Sequence, residues 1–376
     1  MKIMVFAGYV ESLLIFRGPL LSALVKEGNQ VIACAPENNA NIVKRLSKLG
    51  VGFQTIPIQR TGMNPVHDIY TLFFLYRLLR KNRPDILLSY TIKPVIFGSL
   101  AARLAGVKNC YSMITGLGFA FQGDTLKNKF INFLVCCLYR LGLSKNKAVF
   151  FQNPDDKELF IKSKLIGKNT DAILVNGSGV DLNYYTIMPV VKEPIVFLLI
   201  ARIISEKGIE VYAEAARQLK KRYSKVSFRL AGWFDSNPSA LKKAKVMEWH
   251  KQGTVEYLGV ADDVRPFIAA SSVYVLPSYR EGTPRTVLEA MSMGRPIITT
   301  DAPGCRETVI DGENGFLIPI KDAVALAKAM ERFILNPELI ELMGRSSREM
   351  AKQKYDVNKV NAVVMKTMGL IGEEVV

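Results

Sequence analysis

The sequence predicts an α/β protein built as two doubly wound, parallel-sheet halves in tandem. Three observations carry that prediction. Short apolar runs of strand length alternate with longer helix-like stretches through the first half. The alternation weakens at Tyr184–Pro194, which holds two prolines, and then restarts. Strand–helix alternation of this kind gives a parallel sheet covered by helices, and a proline-bearing pause reads as a linker. The length agrees, because 376 residues are too many for one ordinary core.

In the first half the candidate strands are Lys2–Ala7, Gln30–Ala35, Gly52–Pro57, Ile86–Ser89, Asn109–Ile114 and Ala148–Gln152. Helical stretches such as Ser12–Glu27, Pro65–Lys81, Val95–Ala105 and Leu126–Leu141 lie between them. After the linker come a buried-type strand at Pro194–Arg202, a helix at Gly208–Arg222, and strands at Val226–Gly232, Thr254–Gly259, Val273–Pro277 and Pro296–Thr300. The expected domains are therefore 1–185 and 195–355, with 356–376 forming a helix that crosses back to the first domain. Ligands of such folds bind at the carboxyl ends of strands, and with two domains the cleft between them is the default site.

Composition excludes several classes. Hydrophobic residues are 49% and charged residues 22%, a folded rather than a disordered composition. Cys34, Cys110, Cys136, Cys137 and Cys305 form no C-x-x-C pair, and only two histidines exist to help them, so no metal site is expected. They read as reduced, buried thiols of a cytoplasmic protein. The opening apolar run is too short for a signal peptide, and no window of about 18 uncharged apolar residues predicts a membrane span. The net charge of +16 is uneven: residues 1–150 hold 19 Lys/Arg against 6 Asp/Glu, a net of +13. Such asymmetry concerns partners, and nucleic acid, anionic lipid and phosphorylated substrates all stay open on charge alone.

The strongest chemical feature is Ser278–Leu317, SYREGTPRTVLEAMSMGRPIITTDAPGCRETVIDGENGFL. It follows an apolar strand, passes a loop holding Glu281, Gly282, Thr283 and Pro284, and enters a helix at Arg285. Proline is favoured at a first helical position, and a helix start in such a loop is ready to take an anion. Glu289 lies eight residues after Glu281, about one turn inside the helix. A carboxylate accepts two hydrogen bonds from neighbouring hydroxyls of a ribose or sugar. An isolated pair of this kind is usually a surface charge and a dipole partner; the glycines, the proline and the following strand reverse that preference. A second feature, ARIISEKG at Ala201–Gly208, sends Arg202 and Lys207 off the end of a strand. Alone it would be a solvated basic loop. Aimed at a diphosphate, the two cations would contribute about 1.5–3 kcal/mol each. The loop Gly8–Gly18 allows close backbone approach but lacks G-x-G-x-x-G, so a dinucleotide cofactor is poorly supported.

Together these features resemble the family 4 retaining glycosyltransferases of the GT-B fold, two Rossmann-like doubly wound domains facing a central cleft. The segments SYTIKPVIFGSLAARLAG, SMITGLGFAF, FQNPDD and VNGSGVD resemble bacterial members that build O-antigens, capsules and other lipid-linked glycans. The resemblance implies that Arg202 and Lys207 bind the donor diphosphate, that Glu281 approaches the donor sugar, and that Glu289 contacts the ribose. Arg202, Lys207 and Glu281 would then be catalytic. Gly8, Gly259, Gly282, Thr283, Pro284, Arg285 and Thr286 would complete the donor site, and Arg17, Tyr90, Thr91, Lys93 and Gly116 would meet the acceptor. Many members carry a histidine after the fourth strand, where SYTIKP has none. The domain 1–185 would bind acceptor and 195–355 the nucleotide sugar.

The implied reaction retains anomeric configuration and works without metal or cofactor. The implied donor is a UDP-sugar, with a HexNAc such as GalNAc favoured, and the acceptor a sugar on undecaprenyl diphosphate or another glycan. Two basic-apolar segments, Tyr70–Arg83 and Leu126–Lys147, suit an anionic membrane surface and hence a cytoplasmic protein peripheral on the inner face of the cell membrane. Asp262–Asp263 reads as a cap on the following helix and His67 and His250 as surface or packing residues. Two rivals stay open. A UDP-sugar 2-epimerase of the same fold would need histidine and carboxylate groups in the cleft; a basic nucleic-acid-binding protein would need a recognition motif, and none appears.

Overall fold

The computed structural model describes residues 1–59, 62, 64–117, 121, 126–235 and 239–372. Residues Gly118, Phe119 and Ala120 of the SMITGLGFAF segment lie outside the described residues. The chain divides into two compact units, Met1–Ser178 with Asn358–Val376, and Gly179–Val357.

The first unit is a seven-stranded parallel sheet in the order β3-β2-β1-β4-β5-β6-β7. The strands are β1 (Lys2–Phe6), β2 (Gln30–Ala35), β3 (Gly52–Thr55), β4 (Ile86–Tyr90), β5 (Asn109–Ile114), β6 (Ala148–Phe151) and β7 (Asp171–Leu174). Helices α1 (Glu11–Ile15), α2 (Gly18–Lys26), α3 (Ala40–Lys48), α4 (Pro65–Asn82), α5 (Ile92–Ala105), α6 (Leu126–Leu143) and α7 (Pro154–Lys162) connect them. The central strands read as near-continuous apolar runs because helices cover both faces. In β1, Ile3 and Val5 join the cluster that includes α2, while Met4 and Phe6 join the one beneath α4, α5 and α6. Burying each such side chain contributes about 1.5–3 kcal/mol. The last helix, α14 (Val357–Thr367), sends Val364 and Met365 into the first of these clusters.

The second unit is a six-stranded parallel sheet in the order β10-β9-β8-β11-β12-β13. Its strands are β8 (Val196–Ile200), β9 (Ser227–Ala231), β10 (Glu256–Tyr257), β11 (Val273–Leu276), β12 (Ile297–Thr300) and β13 (Gly315–Ile318). Its helices are α8 (Ile209–Lys220), α9 (Lys243–Lys251), α10 (Arg265–Ala269), α11 (Arg285–Ser292), α12 (Ala323–Leu335) and α13 (Glu338–Lys354).

Three sequence expectations need correction. Ser12–Glu27 is two helices, α1 and α2, because Pro19 stands in the first turn of α2 and cannot donate into a continuing helix. Strands β7 and β13 were not expected; both are four-residue edge strands with only one neighbour. Thr254–Gly259 contracts to the two-residue edge strand β10. Among the described residues, no helix is long and apolar enough to cross a membrane.

Candidate active site

Each sheet has one place where the strand order reverses: between β1 and β4 in the first unit, and between β8 and β11 in the second. Loops leaving neighbouring strands there diverge to opposite sides of the sheet and open a crevice, so this is where a doubly wound fold takes its ligand. Arg202, Lys207 and the Glu281–Glu289 segment lie at the second of these places, and Gly8, Tyr90 and Thr91 at the first.

In the second unit, Arg202 follows the end of β8. Its Nη1 donates to Asp235 Oδ2 at 3.0 Å, from the loop after the adjacent β9. A single turn of 3-10 helix, Ser205–Lys207, then carries Lys207 toward the loop after β11. The turn ends at Gly208, which adopts φ 69° with the Pro277 carbonyl packed where a β-carbon would stand. Only glycine meets both demands. Further bonds stitch the turn to the β11 loop: Tyr279 N–H donates to the Glu206 carbonyl at 2.9 Å, and Ser278 Oγ donates to it at 3.1 Å. Lys207 Nζ donates to Glu281 Oε1, an ion pair with both side chains largely out of solvent. Glu281 N–H donates in turn to the Pro303 carbonyl at 2.9 Å, from the loop after β12. Four strand ends thus hold the two cations and this carboxylate.

Helix α11 supplies the rest. Pro284 is its N-cap rather than its first residue, with ψ 107°. The helix thus begins at Arg285 as expected, and the residue before it is extended, a conformation that proline accepts as readily as a helical φ. Thr286 Oγ1 donates to the Ile200 carbonyl at 3.3 Å and ties the first turn of α11 to the end of β8. Glu289 is 4% exposed, and its Oε1 accepts from Arg285 Nε at 2.7 Å and from Tyr185 Oη at 2.8 Å. Among the described residues no donor reaches Oε2. Burial would depress the Arg285 cation, but the Glu289 charge and hydrogen bond carry its pKa above the ordinary value. Arg285 therefore braces Glu289. Gly259 lies after β10, where its carbonyl accepts from Gly232 N–H at 2.9 Å. Gly282 and Thr283 stand between Glu281 and the cap of α11.

Sequence reasoning missed Asp235 and Tyr185. Asp235 sits in a loop with no motif, and only the need of a half-buried arginine for a partner could have pointed to it. Tyr185 lay in the segment read as a linker, yet it is buried and aimed at Glu289.

In the first unit, Gly8 lies after β1 and Thr91 follows β4 as the N-cap of α5. An ideal β-carbon at Gly8 would overlap the Thr91 hydroxyl. Thr91 has φ 68° and ψ 158°, a region that costs a β-branched residue about 1–3 kcal/mol. Its Oγ1 is buried with no hydrogen-bond partner among the described residues. Tyr90 is buried, shares a 2.8 Å hydrogen bond with Ser12 Oγ, and lies 5.2 Å beneath the Arg17 guanidinium. Burial pushes its phenol well up, against the Ser12 bond and the Arg17 charge. Lys93 Nζ pairs with Asp68 Oδ1 at 2.6 Å. Gly116, after β5, has φ 117°. The structure thus brings Gly8, Tyr90, Thr91 and Arg17 together, while Lys93 turns to α4.

The remaining candidates are placed elsewhere. Asp263 accepts from the Arg265 N–H at 3.0 Å and pairs with the Arg265 side chain. His250 Nδ1 accepts from Tyr257 N–H at 3.1 Å, and His67 Nδ1 lies 3.3 Å from Thr71 Oγ1 on its own helix.

Comparison with known proteins gives this geometry a family. Residues 194–336 match the family "Glycosyl transferases group 1", and residues 5–153 match "Glycosyl transferase 4-like". Among curated relatives is the Campylobacter jejuni N,N'-diacetylbacillosaminyl-diphospho-undecaprenol alpha-1,3-N-acetylgalactosaminyltransferase, 27% identical over 91% of this chain and 92% of the relative. Another is the Escherichia coli UDP-Gal:alpha-D-GlcNAc-diphosphoundecaprenol alpha-1,3-galactosyltransferase, 25% identical over 81% and 80%. Among solved structures, Anabaena HepE in complex with UDP and glucose superposes with a TM-score of 0.75 at 18% identity, covering 99% of this chain and 100% of that one. Sucrose-phosphate synthase from Thermosynechococcus elongatus gives 0.81 at 16% identity, covering 97% and 98%. The architecture is the GT-B fold. The chain belongs to the glycosyltransferases, with a 4-like N-terminal and a group 1 C-terminal region, and it is a hexosyltransferase.

Proposed function

We propose that the enzyme moves a HexNAc, such as GalNAc, from a UDP-sugar to a sugar carried on undecaprenyl diphosphate, with retention of configuration, in the assembly of a bacterial surface polysaccharide or glycan. The observation that carries this reading is the convergence of Arg202, Lys207, Glu281 and Glu289 on the switch point of one sheet. The names of the lipid-linked relatives and the UDP in solved neighbours support the choice of substrates. The C-terminal unit takes the nucleotide sugar and the N-terminal unit the acceptor. The enzyme works in the cytoplasm, peripheral on the inner face of the membrane where a lipid-linked acceptor is displayed.

Arg202 and Lys207 hold the diphosphate. An ammonium has three donors, so Lys207 can serve a phosphate oxygen while keeping its bond to Glu281. The C1–O bond to the β-phosphate breaks, and the acceptor oxygen bonds C1 on the same face. The acceptor proton passes to the departing phosphate oxygen. Charge grows on that phosphate, and the two cations with the start of α11 stabilise it. Glu281 orients sugar hydroxyls, and Glu289 takes a ribose hydroxyl on Oε2. Gly282, Thr283 and the first turn from Arg285 and Thr286 line the phosphate end.

A screen of UDP- and GDP-sugars against lipid-linked acceptors, read by product mass and anomeric configuration, tests the reading. Transfer of a UDP-HexNAc with retention is expected. Conversion of a UDP-sugar without any acceptor would instead make the protein an epimerase.

A further inference from the structure

Three helices cover one face of the N-terminal sheet. The inner sides of α4, α5 and α6 meet in a single apolar cluster, through Leu75 and Leu79 of α4, Val95 and Ala101 of α5, and Tyr139 and Leu143 of α6. Helix α5 packs against both of the others. Helices seated this way ordinarily turn a polar side outward. Here α4 and α6 do not.

On α4, Val66, Ile69, Tyr70 and Phe73 are exposed, at the i, i+3, i+4, i+7 positions that form one stripe opposite the buried side. On α6, Phe130, Phe133 and Leu134 do the same, and the two phenylalanines are 69% and 65% exposed. Single exposed apolar side chains are ordinary, but two stripes on one helical layer mark a contact surface.

The charges around the stripes select the partner. The α4 stripe continues into Arg77, Arg80 and Lys81, all exposed, and the Arg77 guanidinium lies 5.5 Å from the Phe73 ring centroid. Lys129 is exposed beside Phe130. Helix α6 contains no Asp or Glu, and the one carboxylate of α4, Asp68, is neutralised by Lys93 at 2.6 Å. Apolar side chains flanked by unopposed cations suit a bilayer with anionic headgroups: the rings enter the acyl boundary while the cations meet the phosphates.

We propose that the outer surface of α4 and α6 is a docking face for an anionic lipid bilayer. The proposal deepens the reading that the enzyme serves a lipid-linked acceptor, because it names the surface that would bring the N-terminal unit to that lipid.

The test uses vesicles of phosphatidylcholine with and without phosphatidylglycerol, and two variants of the full chain. One carries Ile69→Ser, Phe73→Ser, Phe130→Ser and Phe133→Ser; the other carries Arg77→Ser, Arg80→Ser and Lys81→Ser. Circular dichroism and thermal unfolding check that both are folded. Wild type should sediment with the anionic vesicles. The apolar variant should lose on the order of tenfold or more in partitioning, including the fraction that survives high salt. The basic variant should lose the preference for phosphatidylglycerol. Transfer to a short-chain, water-soluble acceptor should be unchanged in both. A folded apolar variant that sediments like wild type overturns the proposal, as does a wild type that ignores anionic vesicles. So does a wild-type dimer that the apolar variant dissociates while vesicle binding is untouched. Vesicle binding without any sugar transfer would instead defeat the functional reading and leave the docking face standing.

Discussion

The Tyr185 hydroxyl and Arg285 Nε both donate to the same oxygen of Glu289, at 2.8 and 2.7 Å, and among the described residues no donor reaches its second oxygen. A buried carboxylate is costly unless its hydrogen bonds are made, and two donors on one oxygen also fix its rotamer. On the proposed reading, Glu289 is thus held ready before the ribose arrives. Tyr185→Phe removes one of those donors and no ligand contact. A hydrogen bond to a charged group contributes about 1.5–3 kcal/mol, and part of it will be lost from binding, so UDP affinity should fall about tenfold while kcat changes little. Calorimetric titration of UDP checks this. Unchanged affinity would mean that Arg285 alone positions Glu289.

Arg202→Ala or Lys207→Ala should each cost on the order of 3 kcal/mol of transition-state stabilisation, by analogy with the loss of an oxyanion donor. The effect should appear in kcat/KM for transfer. Wild-type-like turnover by both purified variants would remove the diphosphate role. Asp235→Asn should produce a smaller loss, since Arg202 then keeps its charge and loses its tether.

Glu281→Gln separates two effects that oppose each other. The ion pair with Lys207 neutralises a cation that the proposed diphosphate site needs. Without the carboxylate charge, UDP should bind more tightly, on the order of tenfold at low ionic strength, with the gain shrinking in salt. Transfer should nonetheless slow by about a hundredfold, because sugar orientation is lost. Weaker UDP binding in Glu281→Gln would show that Glu281 organises Lys207 rather than competes for it.

What could be read from the sequence follows from physical differences between kinds of residue. The central strands were legible because burial on both faces leaves continuous apolar runs, as in Val196–Ile200. The edge strand β7, Asp171–Leu174, was not, since a strand with one neighbour need not be apolar, and for the same reason the strand expected at Thr254–Gly259 is only Glu256–Tyr257. Arg202, Lys207, Glu281 and Glu289 stand out as candidates because they lie at fixed offsets from strands and a helix start. Asp235 and Tyr185 were not, because they act through a partner distant in sequence. Tyr185 and Glu289 are 104 residues apart. Nor could spacing reveal that Arg285 faces Glu289 rather than solvent.

Cys305 offers a pH test of the packing behind Glu281. Burial, with the Glu281 charge added, pushes its thiol up to about 12, against hydrogen bonds from Thr300 and Thr299 and the Lys207 charge. The folded protein should therefore resist alkylation at Cys305 near pH 9, where an unfolded thiol already ionises. The sign follows by linkage. Above the unfolded pKa the unfolded state holds fewer protons than the native one, so stability falls as pH rises through it, until the folded thiol ionises as well. Mass spectrometry after timed alkylation reads the protection. Rapid labelling of native Cys305 would contradict the buried placement.

Thr91 pairs a strained backbone with a buried, unpartnered hydroxyl, and both lie against Gly8. Strain of this kind persists only where the surroundings hold it, and it is characteristic of sites where function outweighs stability. Thr91→Gly should relieve the backbone and raise thermal stability by about 1 kcal/mol after the added flexibility of glycine is deducted. The same variant should lower kcat/KM for the lipid-linked acceptor, since the hydroxyl held at the strand switch is gone. Gly8→Ala alone should destabilise the protein, because its methyl and the Thr91 hydroxyl need the same space. In the Thr91→Gly background that space is vacant, and the cost of Gly8→Ala should largely vanish. The double-mutant cycle in thermal unfolding would then show coupling well above the few tenths of a kcal/mol, about 0.3–0.5, expected of independent sites. Additive effects would mean that Gly8 is required by something other than Thr91. Stabilisation by Thr91→Gly with full acceptor activity would leave the strained threonine without a role in transfer.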